Sequence, residues 1–116
     1  MSSPTIFRRI ALAMKGAVEG AHMGHPDFRV SKRIFASLHS GDQFGMVKVT
    51  PYQQQALIRR HPAAFSPEAG AWGRAGCTRV ALHAVDEDTL GEAITLAWQT
   101  LANAEGKPAK PRKRAG

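Results

Sequence analysis

The sequence has a single cysteine, Cys77, and no uninterrupted apolar run that approaches the ~18 residues of a membrane-spanning helix. A lone cysteine excludes an internal disulfide and fits a reducing compartment. The apolar stretch near the N-terminus, Ile10 to Met14, is interrupted by Lys15 and is shorter than the ~7–15 residues of a signal-peptide core. These absences predict a cytoplasmic protein with no membrane partner.

Sequence motifs for catalysis are also lacking. There is no Gly-x-Gly-x-x-Gly fingerprint and no lysine-type phosphate loop. His22 and His25 lie three residues apart, but a metal site needs three or four ligands, so histidines in turns or on the surface are the commoner case. We therefore expect no enzymatic activity, no cofactor and no metal. An enzyme is the third alternative, and it requires His22, His25 and Cys77 to converge in one pocket.

Acidic residues are scarce and unevenly distributed. The 116 residues include 16 Lys and Arg against 9 Asp and Glu, a formal net charge of +7. Residues 86–106 contain five acids and no Lys or Arg, whereas the last ten residues contain five cations. The length and composition predict one folded domain over residues 1–104, with strong charge polarity.

The C-terminal residues 105–116 are predicted to form a disordered basic tail. They include two prolines and no large apolar side chain, so they cannot offset the entropy of ordering. Four cations near the end of the tail are expected to bind polyanions weakly and without sequence preference. These cations are Lys110, Arg112, Lys113 and Arg114.

Apolar periodicity and turn signals predict the element order α-β-β-β-β-α-β-α. Ser3 is the expected N-cap of the first helix, and Thr50 begins the second helix through a capping box with Gln53. An ordered loop, Ala63 to Cys77, is expected before the last strand, Thr78 to Ala84. Short connections favour antiparallel neighbours, so the predicted fold class is α+β, an antiparallel sheet with helices packed on one face.

Six cations of the folded domain are candidate nucleic-acid contacts. If they share one face they can neutralise several phosphates, although a charge on the outer face of a strand is usually a solvated side chain. Five polar residues of the second helix could also approach a groove, although glutamine-rich exposed helix faces are common; they are Gln53, Gln54, Gln55, Arg59 and Arg60. Trp72 is expected to be a structural anchor, buried against the sheet or the second helix. The six cations are Arg29, Lys32, Arg33, Lys48, Arg74 and Arg79.

Four segments occur in a distinctive order between Ile6 and Leu101: GHPDFRVSKRIFASL, VKVTPYQQQAL, FSPEAGAWGRAGCTRVAL and AITLAW. The third contains the sharpest motif, Trp-Gly-Arg-x-Gly-x-Thr, which begins at Trp72. In order and spacing these segments resemble the MmcQ/YjbR-like family of small bacterial proteins. The resemblance implies an α+β fold of the frataxin-like, double-wing type and DNA binding, and it brings no catalytic residue.

The family's pattern can be carried over position by position. Its hairpin arginine and lysine fall on Arg29 and Lys32, and its Trp-Gly-Arg runs from Trp72 to Arg74. The sequence departs from the pattern at two places. The hairpin lacks the family's glycine, and Cys77 stands where the family often has an aromatic residue.

The sequence therefore predicts a monomeric, non-enzymatic DNA-binding protein that contacts the phosphate backbone with low sequence specificity. The alternative is a protein- or small-ligand-interaction domain whose basic charge is incidental. A cluster of Arg29, Lys48 and Arg79 on one exposed sheet face favours DNA, whereas scattered cations around an apolar groove favour the alternative. Iron handling, which a frataxin-like fold suggests, is disfavoured because the first helix carries cations rather than carboxylates.

Overall fold

The computed structural model describes residues 2–39, 41 and 43–106. Six strands and four helices follow one another along the chain, with one 3-10 turn before the last helix. The helices are α1 (Pro4–Ala13), α2 (Pro51–Arg60), α3 (Gly70–Arg74) and α4 (Glu87–Gly106). The strands are β1 (Val18–His22), β2 (His25–Val30), β3 (Arg33–Leu38), β4 (Phe44–Lys48), β5 (Phe65–Pro67) and β6 (Cys77–Ala81).

The six strands form one sheet in the order β1-β2-β3-β4-β6-β5, and every neighbouring pair is antiparallel. The predicted α+β class with an antiparallel sheet is therefore confirmed. One row of facing residues crosses the sheet from Asp27 through Ser37 and Met46 to Arg79. The residues one position further along alternate to the other face, because successive side chains of a strand point to opposite sides.

The helices α1, α2 and α4 cover one face of the sheet and enclose the core. The Phe7 ring of α1 lies 5.9 Å from the Phe28 ring of β2, measured between centroids. Phe7 also passes so close over β4 that a Cβ on Gly45 would lie 2.6 Å from it. Leu90 and Ile94 of α4 are fully buried against the strands. In the part of the chain that the structure describes, the opposite face of the sheet, which carries Met46 and Arg79, is not covered by these three helices.

Local signals set the beginnings of the first two helices as predicted. The Ser3 hydroxyl accepts a hydrogen bond from the Ile6 backbone N–H, which confirms it as the N-cap of α1. Thr50 and Gln53 form the complete capping box of α2. The suggestion that Gln54 could approach a groove is wrong, because this side chain is buried between α2 and the segment before β6.

The loop predicted from Ala63 to Cys77 contains two short elements, β5 and α3. The three residues of β5 are strand because they pair along the edge of β6, a contact that no local pattern reveals. The predicted strand Thr78 to Ala84 ends earlier, at Ala81, and Leu82 to Ala84 form a 3-10 turn. The observed order therefore differs from the predicted α-β-β-β-β-α-β-α by these two elements before the last strand and by the 3-10 turn after it.

Helix α4 is the last element that the structure describes, and it ends at Gly106. The division into a domain over residues 1–104 and a basic tail over residues 105–116 stays a prediction. The tail cations Lys110, Arg112, Lys113 and Arg114 lie outside the described residues. Within the residues that the structure describes, no helix is both long and apolar enough to cross a membrane.

Candidate nucleic-acid interface

The face of the sheet without a helix layer forms a cleft of about 650 Å³, which we call the open-face cleft. Its basic side chains come from β2, the β2–β3 turn, β3 and β4, and they are Arg29, Lys32, Arg33 and Lys48. The strands also contribute Ile34, Ser37, Met46 and Cys77. The end of β3 and the segment from β5 to α3 contribute His39, Glu68, Ala69 and Trp72.

Four of the six cations named from the sequence therefore line one cleft. A fifth, Arg79, lies on the same face of the sheet, directly opposite Met46 in the β4–β6 register. Arg74 does not join them: it borders a separate hollow of about 320 Å³ beside α2. The structure thus places Arg29, Lys48 and Arg79 on one exposed sheet face, the arrangement that favours a phosphate contact.

Arg29 is held in the cleft by a buried carboxylate. Its Nε donates to Asp27 Oδ1 at 2.7 Å and its Nη2 to Oδ2 at 2.9 Å, a bidentate pair. Asp27 is fully buried, while the Arg29 side chain is 32% exposed. The Asp27 hydrogen bond, and its charge, raise the pKa of Arg29 above its ordinary value. Two of the five guanidinium N–H groups are used in this pair, so the plane of the group is fixed by it.

Gly20 on β1 makes room for this pair. It lies directly opposite Asp27 in the β1–β2 register. A Cβ at this position would lie 3.0 Å from Asp27 Oδ1 and 3.1 Å from Arg29 Nε. The bidentate geometry therefore depends on the absence of a side chain at Gly20.

Lys32 enters the cleft from a strained turn. Val30 and Arg33 pair across the hairpin, so Ser31 and Lys32 are its two central residues. Both have positive φ, 52° and 70°, as a type I′ turn requires. Neither is glycine or asparagine, the residues that adopt this conformation at little cost. The hairpin therefore keeps a lysine where the backbone favours glycine.

A β-bulge on β3 lies next to this hairpin. Phe28 faces Ala36, but Arg29 faces Ile34, so Phe35 is an extra residue on β3. Phe35 is fully buried, and Ile34 lines the cleft. Phe35 and Ala36 are consequently both buried, and Ile34 faces Arg29 across the hairpin.

Lys48 and Cys77 face each other across β4 and β6. The Lys48 side chain is exposed, and within the described part of the chain neither it nor Lys32 has a carboxylate partner. Cys77 is 3% exposed. Burial raises the pKa of its thiol; the Lys48 charge acts in the opposite direction, and Glu68 adds to the rise. The thiol is thereby kept protonated, the unreactive form.

Glu68 is the acidic residue that lines the cleft. Its Oε2 lies 2.7 Å from His39 Nε2, and its Oε1 lies 3.5 Å from Arg79 Nη2. The Arg79 guanidinium also lies over the Phe44 ring, 5.2 Å from its centroid. Arg79 is therefore held on two sides, and its charge is partly compensated at the edge of the cleft.

The prediction that Trp72 is a buried structural anchor is wrong, because this side chain is 71% exposed. The reason is the short helix α3. Consecutive residues of a helix point about 100° apart, and the inward position is taken by Gly73. Gly73 packs so tightly that a Cβ there would lie 1.8 Å from the Glu68 carbonyl oxygen. Trp72 consequently stands at the rim of the cleft.

Gln54 of α2 holds this segment in place and is, after Trp72, the second residue that sequence reasoning misassigned. Its Nε2 donates to the carbonyl oxygens of Gly73 and Cys77, both at 3.0 Å. Asp27 and Glu68 were not named from the sequence at all. The signal for Asp27 was its position two residues before Arg29 on one strand, which places both on the same face.

The convergence of His22, His25 and Cys77 in one pocket is not found among the described residues. His22 and His25 face each other across the β1–β2 hairpin, while Cys77 lies on β6, three strands beyond β2. Among the described residues, no group of three or more His, Cys, Asp or Glu side chains is arranged to hold a metal ion.

Comparison with known proteins gives two similarities. The family model described as YjbR matches residues 12–100, more than half of the chain. The crystal structure of the Deinococcus radiodurans protein DR2400, which carries a DUF419 domain, is similar with a TM-score of 0.74 at 20% sequence identity. That match covers 97% of this chain and 87% of the other, and at this identity it shows a shared fold. No curated protein matches the sequence.

Proposed function

The chain belongs to the YjbR family, and on that premise we propose that it is a monomeric, cytoplasmic, non-enzymatic protein that binds DNA through the open-face cleft. The observation that carries the proposal is the convergence of Arg29, Lys32, Arg33 and Lys48 on one concave surface. Each cation that neutralises a phosphate releases condensed counterions, which is the main source of affinity in binding without sequence preference.

The arrangement of the cations suits phosphate groups. The Asp27 pair fixes the Arg29 guanidinium in one plane, so less side-chain entropy is lost when it binds a phosphate oxygen. Lys32 keeps its place in the cleft despite a positive φ. Residues held in strained conformations cluster at functional sites, which supports a binding role for this lysine.

Low sequence specificity follows from the elements that build the cleft. Direct reading of base edges is usually done by a helix or ribbon that enters the major groove. Here the strands that carry the cations line a cleft within a six-stranded sheet instead of projecting as a two-stranded ribbon, and the Gln54 side chain of α2 is engaged inside the protein. Backbone contacts position the protein on DNA but carry no sequence information.

A non-enzymatic role is supported by the state of Cys77, the one nucleophilic thiol in the chain. Burial raises its pKa, whereas a catalytic cysteine requires a lowered one. The thiol contributes to the lining of the cleft as a small apolar group.

Fluorescence anisotropy with a short labelled duplex, measured across a salt series, tests the proposal. The full chain is compared with a Lys32→Gln/Lys48→Gln double variant. We expect the variant to bind more weakly and to reduce the log–log salt slope by about 1.8, since each phosphate contact contributes about 0.9. The contribution of the tail to binding is measured with a full-length variant in which four cations are replaced by glutamine: Lys110, Arg112, Lys113 and Arg114.

A matched control keeps the net charge equal. Lys15→Gln/Arg59→Gln removes two exposed cations at the ends of α1 and α2, on the helix-covered side of the sheet. This control should change the salt slope much less than the cleft variant. If the two double variants behave alike, or if all binding is lost with the tail cations, the cleft is not the DNA site.

A second candidate is a small-ligand site, because the cleft volume lies within the ~300–1,000 Å³ of known ligand pockets. Ile34 and Met46 give it an apolar part beside the cations. Thermal stabilisation of the full chain by a small aromatic phosphate ester, lost in Lys32→Gln/Lys48→Gln, would favour this alternative if DNA has no effect.

A further inference from the structure

Trp72 is the more exposed of the two tryptophans. Indole side chains are large and apolar and are usually mostly buried. Here 71% of the side chain lies in solvent, although the backbone beneath it is firmly held. Gly73 packs on the Glu68 backbone, and Gln54 donates a hydrogen bond to the Gly73 carbonyl oxygen. The indole ring is therefore exposed on a backbone segment whose position is fixed.

The residues around the ring indicate which class of ligand fits this site. Trp72 lines the same cleft as Lys32 and Lys48, and the apolar side chains of Ile34 and Met46 lie in that cleft too. An aromatic face beside cations is the arrangement with which proteins bind single-stranded nucleic acid: the ring stacks on a base and the cations bind the backbone. In a duplex the base faces are stacked on one another and are not available to the ring.

We propose that the open-face cleft holds an unpaired nucleotide of single-stranded DNA, with its base stacked on Trp72 and its phosphates beside Lys32 and Lys48. This inference rests on the proposed function and adds the strand state of the DNA. Stacking accepts every base, because each has a π face, so the site is also unselective for sequence.

The test measures anisotropy of the full chain with three labelled probes: an oligodeoxythymidine, an abasic oligonucleotide of the same length, and a duplex. Trp72→Ala should weaken binding of the oligodeoxythymidine roughly 5- to 150-fold, the range that base–aromatic stacking supplies. The same variant should leave the affinity for the abasic strand unchanged. Trp72→Phe, which keeps an aromatic face, should retain most of the affinity.

Intrinsic fluorescence gives a second readout that does not depend on the alanine variant folding. The other tryptophan, Trp98, donates its Nε1–H to the Lys15 carbonyl oxygen on the helix-covered side. Stacking should therefore quench the wild-type emission through Trp72 alone. In Trp72→Phe, where Trp98 is the remaining tryptophan, oligodeoxythymidine should cause no quenching.

The outcomes separate this inference from the proposed function. Equal binding of all three probes, unchanged by Trp72→Ala, would overturn the stacking inference and leave DNA binding intact. A Trp72→Ala loss confined to the duplex would overturn it as well. Absence of binding to every probe would overturn the proposed function and this inference together.

Discussion

The Arg29 guanidinium binds the fully buried carboxylate of Asp27 through two parallel hydrogen bonds of 2.7 and 2.9 Å. This pair joins the stability of the sheet to the chemistry of the cleft, because one end is buried in the protein and the other faces the open surface. A guanidinium in this position orients in one plane, which a lysine cannot reproduce.

We expect Arg29→Ala to lower the thermal unfolding midpoint more than Lys48→Ala does. The first substitution removes two charge-assisted hydrogen bonds from a buried carboxylate, whereas the second removes an ammonium group that lies in solvent. Circular dichroism at neutral pH measures both midpoints. Equal midpoints would mean that the pair adds no stability. For the same reason Lys32 and Lys48, rather than Arg29, are the residues to use in binding tests.

Gln54→Ala should lower the free energy of unfolding by about 1–3 kcal/mol. The substitution removes two buried hydrogen bonds, each worth about 0.5–1.5 kcal/mol, while the Gly73 and Cys77 carbonyl oxygens keep the backbone N–H groups of Gly76 and Glu68 as donors. Gln55→Ala, on the exposed side of the same helix, is the matched control and should have little effect. Urea denaturation gives both values. Similar losses for the two variants would show that the Gln54 hydrogen bonds are replaced by water.

Two glycines should respond in opposite directions to alanine. Gly76 has φ of +113°, and a Cβ there would lie 1.8 Å from the Val49 carbonyl oxygen, so Gly76→Ala should cost about 2–4 kcal/mol. Gly91 lies inside α4, where a Cβ meets nothing within 4 Å. Gly91→Ala should therefore stabilise the protein by about 0.5–1 kcal/mol. Urea denaturation measures the free energy of unfolding of both variants. A Gly76→Ala protein as stable as the wild type would contradict the backbone geometry at this position.

Cys77 should react slowly with thiol reagents in the native protein. Burial raises the pKa of the thiol, so both access and the thiolate fraction are low. The chain has one cysteine, so the urea-unfolded protein gives the reference rate for the same group. A native rate equal to the unfolded rate, measured with a chromogenic disulfide at pH 8, would contradict this and revive a nucleophilic role.

The pH dependence of stability tests the role of the Asp86 carboxylate at the beginning of α4. Hydrogen bonds from the Thr89 backbone N–H, at 2.7 Å, and from its hydroxyl lower the pKa of Asp86. A lowered pKa in the folded protein means that the charged form adds stability above the ordinary value of ~3.9 and that this stability is lost as the pH falls through the folded value.

Asp86→Asn keeps a capping side chain and removes the charge. We expect its thermal midpoint to lie below that of the wild type by a constant amount above about pH 4, and the two to converge on further acidification. Circular dichroism melts across this pH range measure the difference. A gap that persists unchanged at the lowest pH would mean that the charge of Asp86 is not its cause.

Much of the fold follows from local chemistry. Ser3, Thr50 and Gln53 set helix starts through hydrogen bonds within three residues, and such contacts are visible in any sequence window. The resemblance to the family supported the α+β class and added the hypothesis of DNA binding. The frataxin-like and double-wing descriptions, and the role of the tail, stay predictions.

The site was only partly predictable. The cations were named from their types and positions, and four of them do meet in one cleft. The exposure of Trp72 and the burial of Gln54 were both assigned the wrong way round. Trp72 is exposed because Gly73 takes the inward position of the five-residue helix α3, and Gln54 is buried because α2 packs against that segment. An indole or an amide has the same local sequence pattern whether it is covered or not.

The sequence by itself determined the caps, the turns, the alternation of the strands and the supply of cations, since these depend on interactions between near neighbours in the chain. The tertiary structure decided which cations share a surface, that Asp27 lies buried beneath Arg29, and that Trp72 stands at the cleft rim. These outcomes depend on which residues the other elements cover, and burial is fixed by contacts between segments far apart in sequence.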